Sequence, residues 1–431
     1  MRKSLLLFFI FLPLLSAQNE VALVRLWQQA DSLNLDLQRL EGRVERATAR
    51  LASERAGWGP VVGLQSGYKY QSEIFRITIP GTVRAIPVMQ EHSYLNSVWF
   101  DWTLFNGLKR WYRIDAAKAT FSAAEADKQF ARATLRHQIL RQGLHLQLHD
   151  QQLEIVHASR SRVVIDLQRA RELHRAGQIA SGDTLLLHHN LLELTKEESE
   201  ILQAQRIGRL QLAALLNRHE PLIPILPQQL LLPVDTVGTW RQSYRSEALL
   251  RHRQAKREQW HAAAGNYWPQ LRAAGAWRYD KPGYDPINNT WVNYVTLEFG
   301  LQWVLWDWQA RSQHRQQLQI EYRDTNLQLR QYENERQLED ARISARENAI
   351  REKILLTQKQ IELKQREYEQ RQQQYTMAQI DAFQLATSEK ELTILTWQHR
   401  LLETQAILAK IDRLYVRGQF LSWTKTLEQQ Q

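Results

Sequence analysis

Two stretches of this chain, 108–176 and 309–377, contain no proline, and Gly143 is their only glycine. As one continuous helix each would extend about 100 Å, far beyond the three or four turns usual in a globular domain. A helix of that length is stabilised by lateral packing against neighbours, as in coiled coils and helical tubes. The stretches are rich in Gln, Arg, Glu and Leu without breakers, the pattern of long helices rather than of ordinary compact domains.

Each stretch ends at a short turn, Gly177-Gln178-Ile179 in one case and Ala378-Gln379-Ile380 in the other. Further helices are expected over 184–217 and 384–417, running back antiparallel to the long ones, with Asp183 placed to cap the first of them.

The chain is a duplication of two repeats, 18–217 and 238–417, joined by a link over 218–237 that holds Pro221, Pro224, Pro227 and Pro233. Trp102-Thr103-Leu104-Phe105-Asn106 corresponds to Trp303-Val304-Leu305-Trp306-Asp307 at an offset of 303 − 102 = 201. The two turns keep that offset, 379 − 178 = 201, whereas Pro60 and Pro269 are 209 apart. An insertion inside a packed helix rotates its apolar stripe by about 100° per residue. The difference of eight between the offsets (209 − 201) therefore falls between Pro60 and Trp102, where a loop belongs.

Around those prolines the period changes from helical to alternating. Strands are expected in two hairpins, about 61–105 and about 270–306. Val62, Leu64, Tyr68, Val98, Phe100, Trp102 and Leu104 share one face of the first hairpin; Leu271, Ala273, Trp277, Leu297, Phe299, Leu301, Trp303 and Leu305 share one face of the second. Apolar–polar alternation over about ten residues, with aromatic residues near the strand ends, is the signature of membrane β-barrel strands. Leu64, Tyr68, Val98, Phe100, Trp102, Trp277, Leu297, Phe299 and Trp303 are the membrane-facing candidates. The competing interpretation is a sheet whose apolar face covers a soluble core.

Four strands cannot close a barrel, and an unpaired strand edge inside lipid is prohibitively costly. The chain must then oligomerise, and three copies supply three times four, or twelve, strands, a barrel of reasonable size. Arg2 and Lys3, the apolar run Leu5 to Leu15 and Ser16-Ala17 have the order of a secretory signal peptide over 1–17. With no cysteine in the sequence, a disulfide framework, a Cys-ligated metal and a lipid-anchored N-terminal Cys are all ruled out. The net charge of +10 is interleaved with Glu and Asp along the helices, as in Glu362-Leu363-Lys364-Gln365-Arg366-Glu367. That is a solvated helix face, and nucleic acid is not expected as a partner. Residues 418–431 are expected to form a polar tail.

An enzyme would have to be built on histidines. His145 and His149 are four apart on a helix with Asp150 and Glu154 nearby, but no motif supplies a third ligand. His188 and His189 are adjacent and point to different faces. There is no phosphate loop or nucleophile elbow. No catalytic residue, metal or cofactor is expected.

The order of elements resembles the TolC-like outer membrane efflux protein family over nearly the whole mature chain. The most specific local matches are Trp102 to Gly107, similar to that family's strand-to-helix junction, and the turn with Gly177 and Asp183 six residues later. The second turn departs from the pattern, with Ala378 where Gly is common and Gln384 where Asp is common. The resemblance implies a mainly α protein with membrane β: a homotrimer placing a twelve-stranded β-barrel in the outer membrane lipid above an α-helical barrel in the periplasm. It implies a passive duct of an efflux or type I secretion system, fed by a proton-driven or ATP-driven inner-membrane pump through a periplasmic adaptor (membrane fusion) protein. It points to Gly177, Gln178, Ile179, Asp183, Ala378, Gln379 and Ile380 as the adaptor-docking tip. Asp381, Gln384 and Thr387 are the candidates for an inner-end constriction. The alternative is a soluble periplasmic coiled-coil adaptor or scaffold without a channel.

Overall fold

The computed structural model describes residues 20–78, 80–81, 85–226, 232–233, 243–285 and 287–430. The signal peptide expected over 1–17 and part of the proline-rich link lie outside the described residues. The chain divides into two compact units.

One unit comprises residues 42–125 and 248–330. It holds the sheet formed by β2 (Val61–Tyr70), β5 (His92–Phe105), β7 (Gln270–Asp280) and β8 (Val292–Gln302), in the order β2-β5-β7-β8 with every pair antiparallel. A small hairpin of β3 (Arg76–Thr78) and β4 (Ala85–Pro87) extends the connection between β2 and β5. The register aligns the alternation of all four strands. Leu64, Val98, Trp277 and Val295 form one rung, and Val62, Phe100, Gly275 and Leu297 the next. Trp102, Ala273 and Phe299 follow on the same face. Two glycines in this sheet lie beneath aromatic rings of β5: Phe100 covers Gly275 on this face, and Trp99 covers Gly63 on the other.

The second hairpin is shorter than the alternation suggested. β8 ends at Gln302 rather than near 306, because its partner β7 begins at Gln270, opposite Gln302, and the ladder has nothing further to pair with. Trp303 and Leu305 therefore lie past the strand.

The other unit comprises the chain up to Glu41, residues 126–247 and residues 331–431. It contains α1 (Leu23–Leu33), α4 (Ser181–Leu215), α7 (Ala382–Val416), α8 (Phe420–Gln430) and a two-stranded parallel ladder of β1 (Glu20–Ala22) and β6 (Ile223–Ile225). Its larger core gathers Leu26 and Trp27 with Ile139, Leu140, Leu212, Ile411, Phe420 and Trp423. The expected polar tail is thus corrected: Phe420, Trp423 and Leu427 recur at helical spacing, and α8 buries them in this core.

Four helices contribute to the sheet-bearing unit: α2 (Leu35–Ala56), α3 (Lys109–Arg175), α5 (Tyr244–Ala264) and α6 (Ala310–Thr376). The two long helices, α3 and α6, have 67 residues each, and the two return helices, α4 and α7, have 35 each. Residues with left-handed backbone repeat at the same offset: Gly107 and Trp308, Leu108 and Gln309, Gly177 and Ala378, Asn217 and Gly418. Each pair differs by 201, as in 308 − 107 and 418 − 217, so both repeats bend the chain at equivalent positions.

Candidate functional site

Two regions carry the residues singled out from the sequence. The first is the apolar face of the sheet, which is open. Leu64, Val295, Leu297 and Phe299 are 79%, 64%, 67% and 75% exposed, so no layer among the described residues covers them and the soluble-sheet interpretation loses its core. Of the other candidates, Tyr68, Val98, Trp102, Trp277 and Trp303 are exposed and Phe100 is half-buried over Gly275.

Aromatic clusters frame this apolar band at both ends. At the hairpin end, Tyr68 bonds His92 Nδ1 at 2.7 Å and packs on Tyr94, while Trp291 lies between Tyr94 and Tyr279. At the helix end, Trp102 and Trp303 donate their indole N–H groups to the carbonyls of Trp58 and Tyr267. The opposite face of the sheet is more polar and carries the Arg272–Asp101 ion pair. Asp280 accepts there from the Asn96 N–H at 2.8 Å and the Tyr294 hydroxyl at 3.0 Å. An apolar band between aromatic girdles with a polar reverse face is what a barrel strand set requires in lipid. No described helix is long and apolar enough to cross a membrane.

The second region is the tip formed by the two turns. Each closes with the same pair of hydrogen bonds. Gly177 N–H donates to His174 O at 2.9 Å and Gln178 N–H to Leu173 O at 2.9 Å; Ala378 N–H donates to Tyr375 O at 3.0 Å and Gln379 N–H to Gln374 O at 2.9 Å. This is the Schellman closure, which needs a left-handed residue at its hinge. Gly177 takes it at φ 76° and Ala378 at φ 55°. Gly177, Gln178, Ala378 and Gln379 are exposed, whereas Ile179 and Ile380 pack against a core of Leu167, Ala170, Leu187, Tyr375, Ala382 and Leu385.

Asp183 does not cap its own helix. Ala180 holds the N-cap position of α4 without a side-chain bond, and Asp183 lies in the first turn, where its carboxylate accepts from the Ala382 N–H of the second turn at 3.4 Å. The chain starts α4 earlier than expected because the Schellman closure is complete by Gln178. Asp381 is the N-cap of α7 and accepts from Gln384 N–H at 2.9 Å. Gln384 is exposed, and the Thr387 hydroxyl donates to Phe383 O at 2.7 Å. Three large apolar side chains escaped the sequence argument: Leu185, Met377 and Phe383, 68%, 68% and 64% exposed beside the turns. Their exposure depends on which way each helix faces, and the helical period near a turn leaves that open.

Behind the turns lies a buried polar layer. Tyr368 donates to Asp166 Oδ2 at 3.1 Å and Gln372 to Asp166 Oδ1 at 3.2 Å. Burial pushes the Asp166 carboxyl above the ordinary range, against the opposing pull of the Gln372 and Tyr368 hydrogen bonds. Burial likewise raises the Tyr368 phenol, helped by the charge of Asp166. The Tyr375 phenol is pushed up to about 12 by burial and then by Asp183 and Asp166. Glu389 accepts from Ser159 at 2.7 Å and from Arg162 at 2.9 Å.

Elsewhere, burial and then Arg141 and His149 lower the pKa of His145, which favours the neutral ring. His188 and His189 are exposed. Among the described residues no three His, Cys, Asp or Glu side chains converge to hold a metal.

The duplicated hairpin-and-helix protomer with an uncovered apolar sheet has the topology of outer-membrane channel subunits. Residues 26–218 match the sequence model of the outer membrane efflux protein family. It is similar to three solved structures. The outer-membrane channel OprN matches with a TM-score of 0.79 at 17% identity, over 93% of this chain and 90% of that one. The outer membrane protein VceC of Vibrio cholerae matches with a TM-score of 0.79 at 15% identity, over 92% and 96%. The Campylobacter jejuni CmeC outer membrane channel matches with a TM-score of 0.77 at 13% identity, over 94% and 88%. No curated protein matches the sequence. The first repeat is thus similar in sequence to outer membrane efflux proteins, and the chain shares the fold of outer-membrane channels over more than nine-tenths of its length.

Proposed function

We propose that three copies of this chain, each contributing the repeats 18–217 and 238–417, close into one export duct that crosses the outer membrane. The observation that carries this is the four-stranded sheet with β2 and β8 as its edges, and with its apolar face open between aromatic girdles. In lipid those edges must pair, and pairing β2 of one copy with β8 of the next closes three times four, or twelve, strands. Leu64, Tyr68, Val98, Phe100, Trp102, Trp277, Leu297, Phe299 and Trp303 then face the outer membrane lipid.

The tip is the docking point for the periplasmic adaptor, which links the duct to a proton-driven or ATP-driven pump. Gly177, Gln178, Ala378 and Gln379 offer the contact surface; Ile179 and Ile380 shape it from beneath, and Asp183 ties the two turns together. Asp381, Gln384 and Thr387 stand at the narrow inner end. Opening is a loosening of the helices behind Ala378, driven by an adaptor that binds the open state more tightly than the closed one.

The test is single-channel conductance in planar lipid bilayers of detergent-extracted protein whose oligomeric mass has been measured. Discrete steps from a species of trimeric mass support the duct. A monomer that needs no detergent and carries no current overturns it in favour of a soluble scaffold.

A further inference from the structure

Both repeats build the same station where strand meets helix. In the first, Trp102 Nε1 donates to Trp58 O at 2.8 Å and Arg110 Nη2 donates to Thr103 O at 3.0 Å. The Arg110 guanidinium lies over the Trp58 ring, 5.3 Å from its centroid. In the second, Trp303 Nε1 donates to Tyr267 O at 3.1 Å and Arg311 Nη1 to Val304 O at 2.7 Å. There the Arg311 guanidinium lies over the Tyr267 ring at 5.1 Å. The indoles, the arginines and the carbonyls that accept from the arginines are related by the offset of the long helices: 303 − 102, 311 − 110 and 304 − 103 all give 201.

The two stations differ in charge. Asp307 accepts from Arg311 Nε at 2.7 Å, and Asn266 O takes a further bond from Arg311 at 3.0 Å, so that arginine is neutralised and well bonded. The equivalent residue in the first repeat is Asn106, whose amide oxygen accepts the Arg110 backbone N–H at 3.3 Å and brings no charge. Arg110 makes no ion pair among the described residues, and most of its guanidinium donors remain available. Lys109 adds to the local positive charge, since among the described residues its ammonium bonds the neutral Asn266 amide, at 2.6 Å, and no carboxylate.

The uncompensated station faces outward. Trp102 belongs to the apolar face through its register with Ala273 and Phe299, and β5 is an interior strand of the sheet. The neutral station follows β8, an edge strand that meets the neighbouring copy in a closed barrel. Trp58, Trp102 and Trp111 are 40%, 40% and 57% exposed, and Trp111 packs edge-on to Trp58 at 4.7 Å. Amphipathic rings of this kind reside at headgroup depth, and a guanidinium is suited to bidentate recognition of phosphate.

We propose that Arg110, framed by Trp58, Trp102 and Trp111, binds the phosphate of an anionic phospholipid in the leaflet on the helical side of the membrane. This rests on the outer-membrane channel reading. Asn106 is what keeps the site open, because an acid there would neutralise Arg110 internally as Asp307 does Arg311. The second station anchors depth without selecting charge.

Native mass spectrometry of the full-length oligomer tests this, after equilibration in mixed phosphatidylglycerol and phosphatidylcholine nanodiscs and with conductance measured on the same samples. Wild type retains phosphatidylglycerol over phosphatidylcholine, and Arg110→Gln lowers that preference about tenfold, the loss of one charge-assisted contact. Asn106→Asp lowers it comparably while keeping Arg110 and the backbone bond of residue 106. Asp307→Asn frees Arg311 and adds a second selected lipid per protomer. Equal retention by wild type, Arg110→Gln and Asn106→Asp in conducting oligomers overturns the lipid site and leaves the channel intact. Competition of the bound lipid by millimolar inorganic phosphate alone would make it a free-phosphate site and overturn the lipid assignment. Loss of conductance and assembly in wild type would instead overturn the channel reading.

Discussion

The Tyr368 hydroxyl donates to Asp166 Oδ2 at 3.1 Å across the tip core, tying α6 to α3 a few turns behind the exposed turns. Tyr368→Phe removes that donor and leaves the carboxylate with Gln372 as its remaining side-chain hydrogen bond, at 3.2 Å. An under-satisfied buried carboxylate costs about 1–3 kcal/mol. We expect a lower midpoint of thermal unfolding and a larger single-channel conductance, because the two long helices lose a tie just behind the tip turns. Unchanged values of both would mean that the pair restrains nothing.

The same carboxyl predicts a pH dependence. Its folded pKa is raised from 3.8, first by burial. The native state therefore binds a proton that the unfolded chain has already released, and stability falls as pH rises through the window above that value. The groups facing Asp166 are Gln372, Tyr368, Arg169 and Glu389. Asp166→Asn should flatten the fall in stability that wild type shows as pH rises above the ordinary carboxylate range. Its stability relative to wild type should be greatest at neutral pH and disappear in acid. A curve parallel to wild type across that range would assign the pH dependence to other groups.

The two tip turns offer a matched experiment on backbone strain. A Cβ added at Gly177 meets nothing within 4 Å, so Gly177→Ala acts through its left-handed φ of 76° rather than through a clash. Left-handed backbone costs an L-residue about 1–2 kcal/mol, partly offset by the reduced freedom of the unfolded chain. Gly177→Ala should destabilise by about 0.5–1 kcal/mol and Ala378→Gly should stabilise by a similar amount. Neither should alter trimer yield. Bulky charged residues at Gly177 and Gln379, in contrast, should abolish export while trimers remain in the membrane, if the adaptor docks there.

The parts of the fold fixed by spacing were legible from residue order. Equal distances from Asn106 to Gln178 and from Asp307 to Gln379 correspond to two helices of 67 residues and to left-handed residues paired at 201. Strand alternation likewise revealed the common face of Leu64, Val98, Trp277 and Leu297, because a period of two leaves no choice of side. Contacts between elements distant in sequence were not legible. Nothing local to Asp183 indicates that its carboxylate reaches Ala382, 199 positions away. The end of β8 at Gln302 follows from where β7 begins, which no property of Trp303 to Asp307 reveals. Residues 418–431 are polar by composition, yet Phe420, Trp423 and Leu427 at helical spacing suffice to dock them.

That docked helix gives the most demanding prediction. Phe420 and Trp423 of α8 both pack edge-on against Trp27 of α1, whose indole N–H donates to Arg136 O in α3 at 3.1 Å. Arg136 is 5% exposed and joins all three helices: its guanidinium meets Asp31 at 2.5 Å, Glu428 at 2.8 Å and Thr424 at 3.1 Å. The assembly combines a buried aromatic cluster with a buried ionic junction, so truncation should be felt beyond the terminus. Phe420→Ala should cost about 3–5 kcal/mol as a core cavity. Arg136→Met should cost about 3–5 kcal/mol, because Glu428 and Asp31 would lose a buried partner. Deleting residues 418–431 removes Phe420, Leu421, Trp423 and Leu427 together, and should leave little oligomer on semi-native gels and a protease-sensitive N-terminal segment around Trp27. Lys425→Ala, at an exposed position of the same helix, should change neither. If the deleted protein assembles and resists protease like wild type, α8 is an accessory to the core formed by α1, α3 and α7 and not part of what holds it closed.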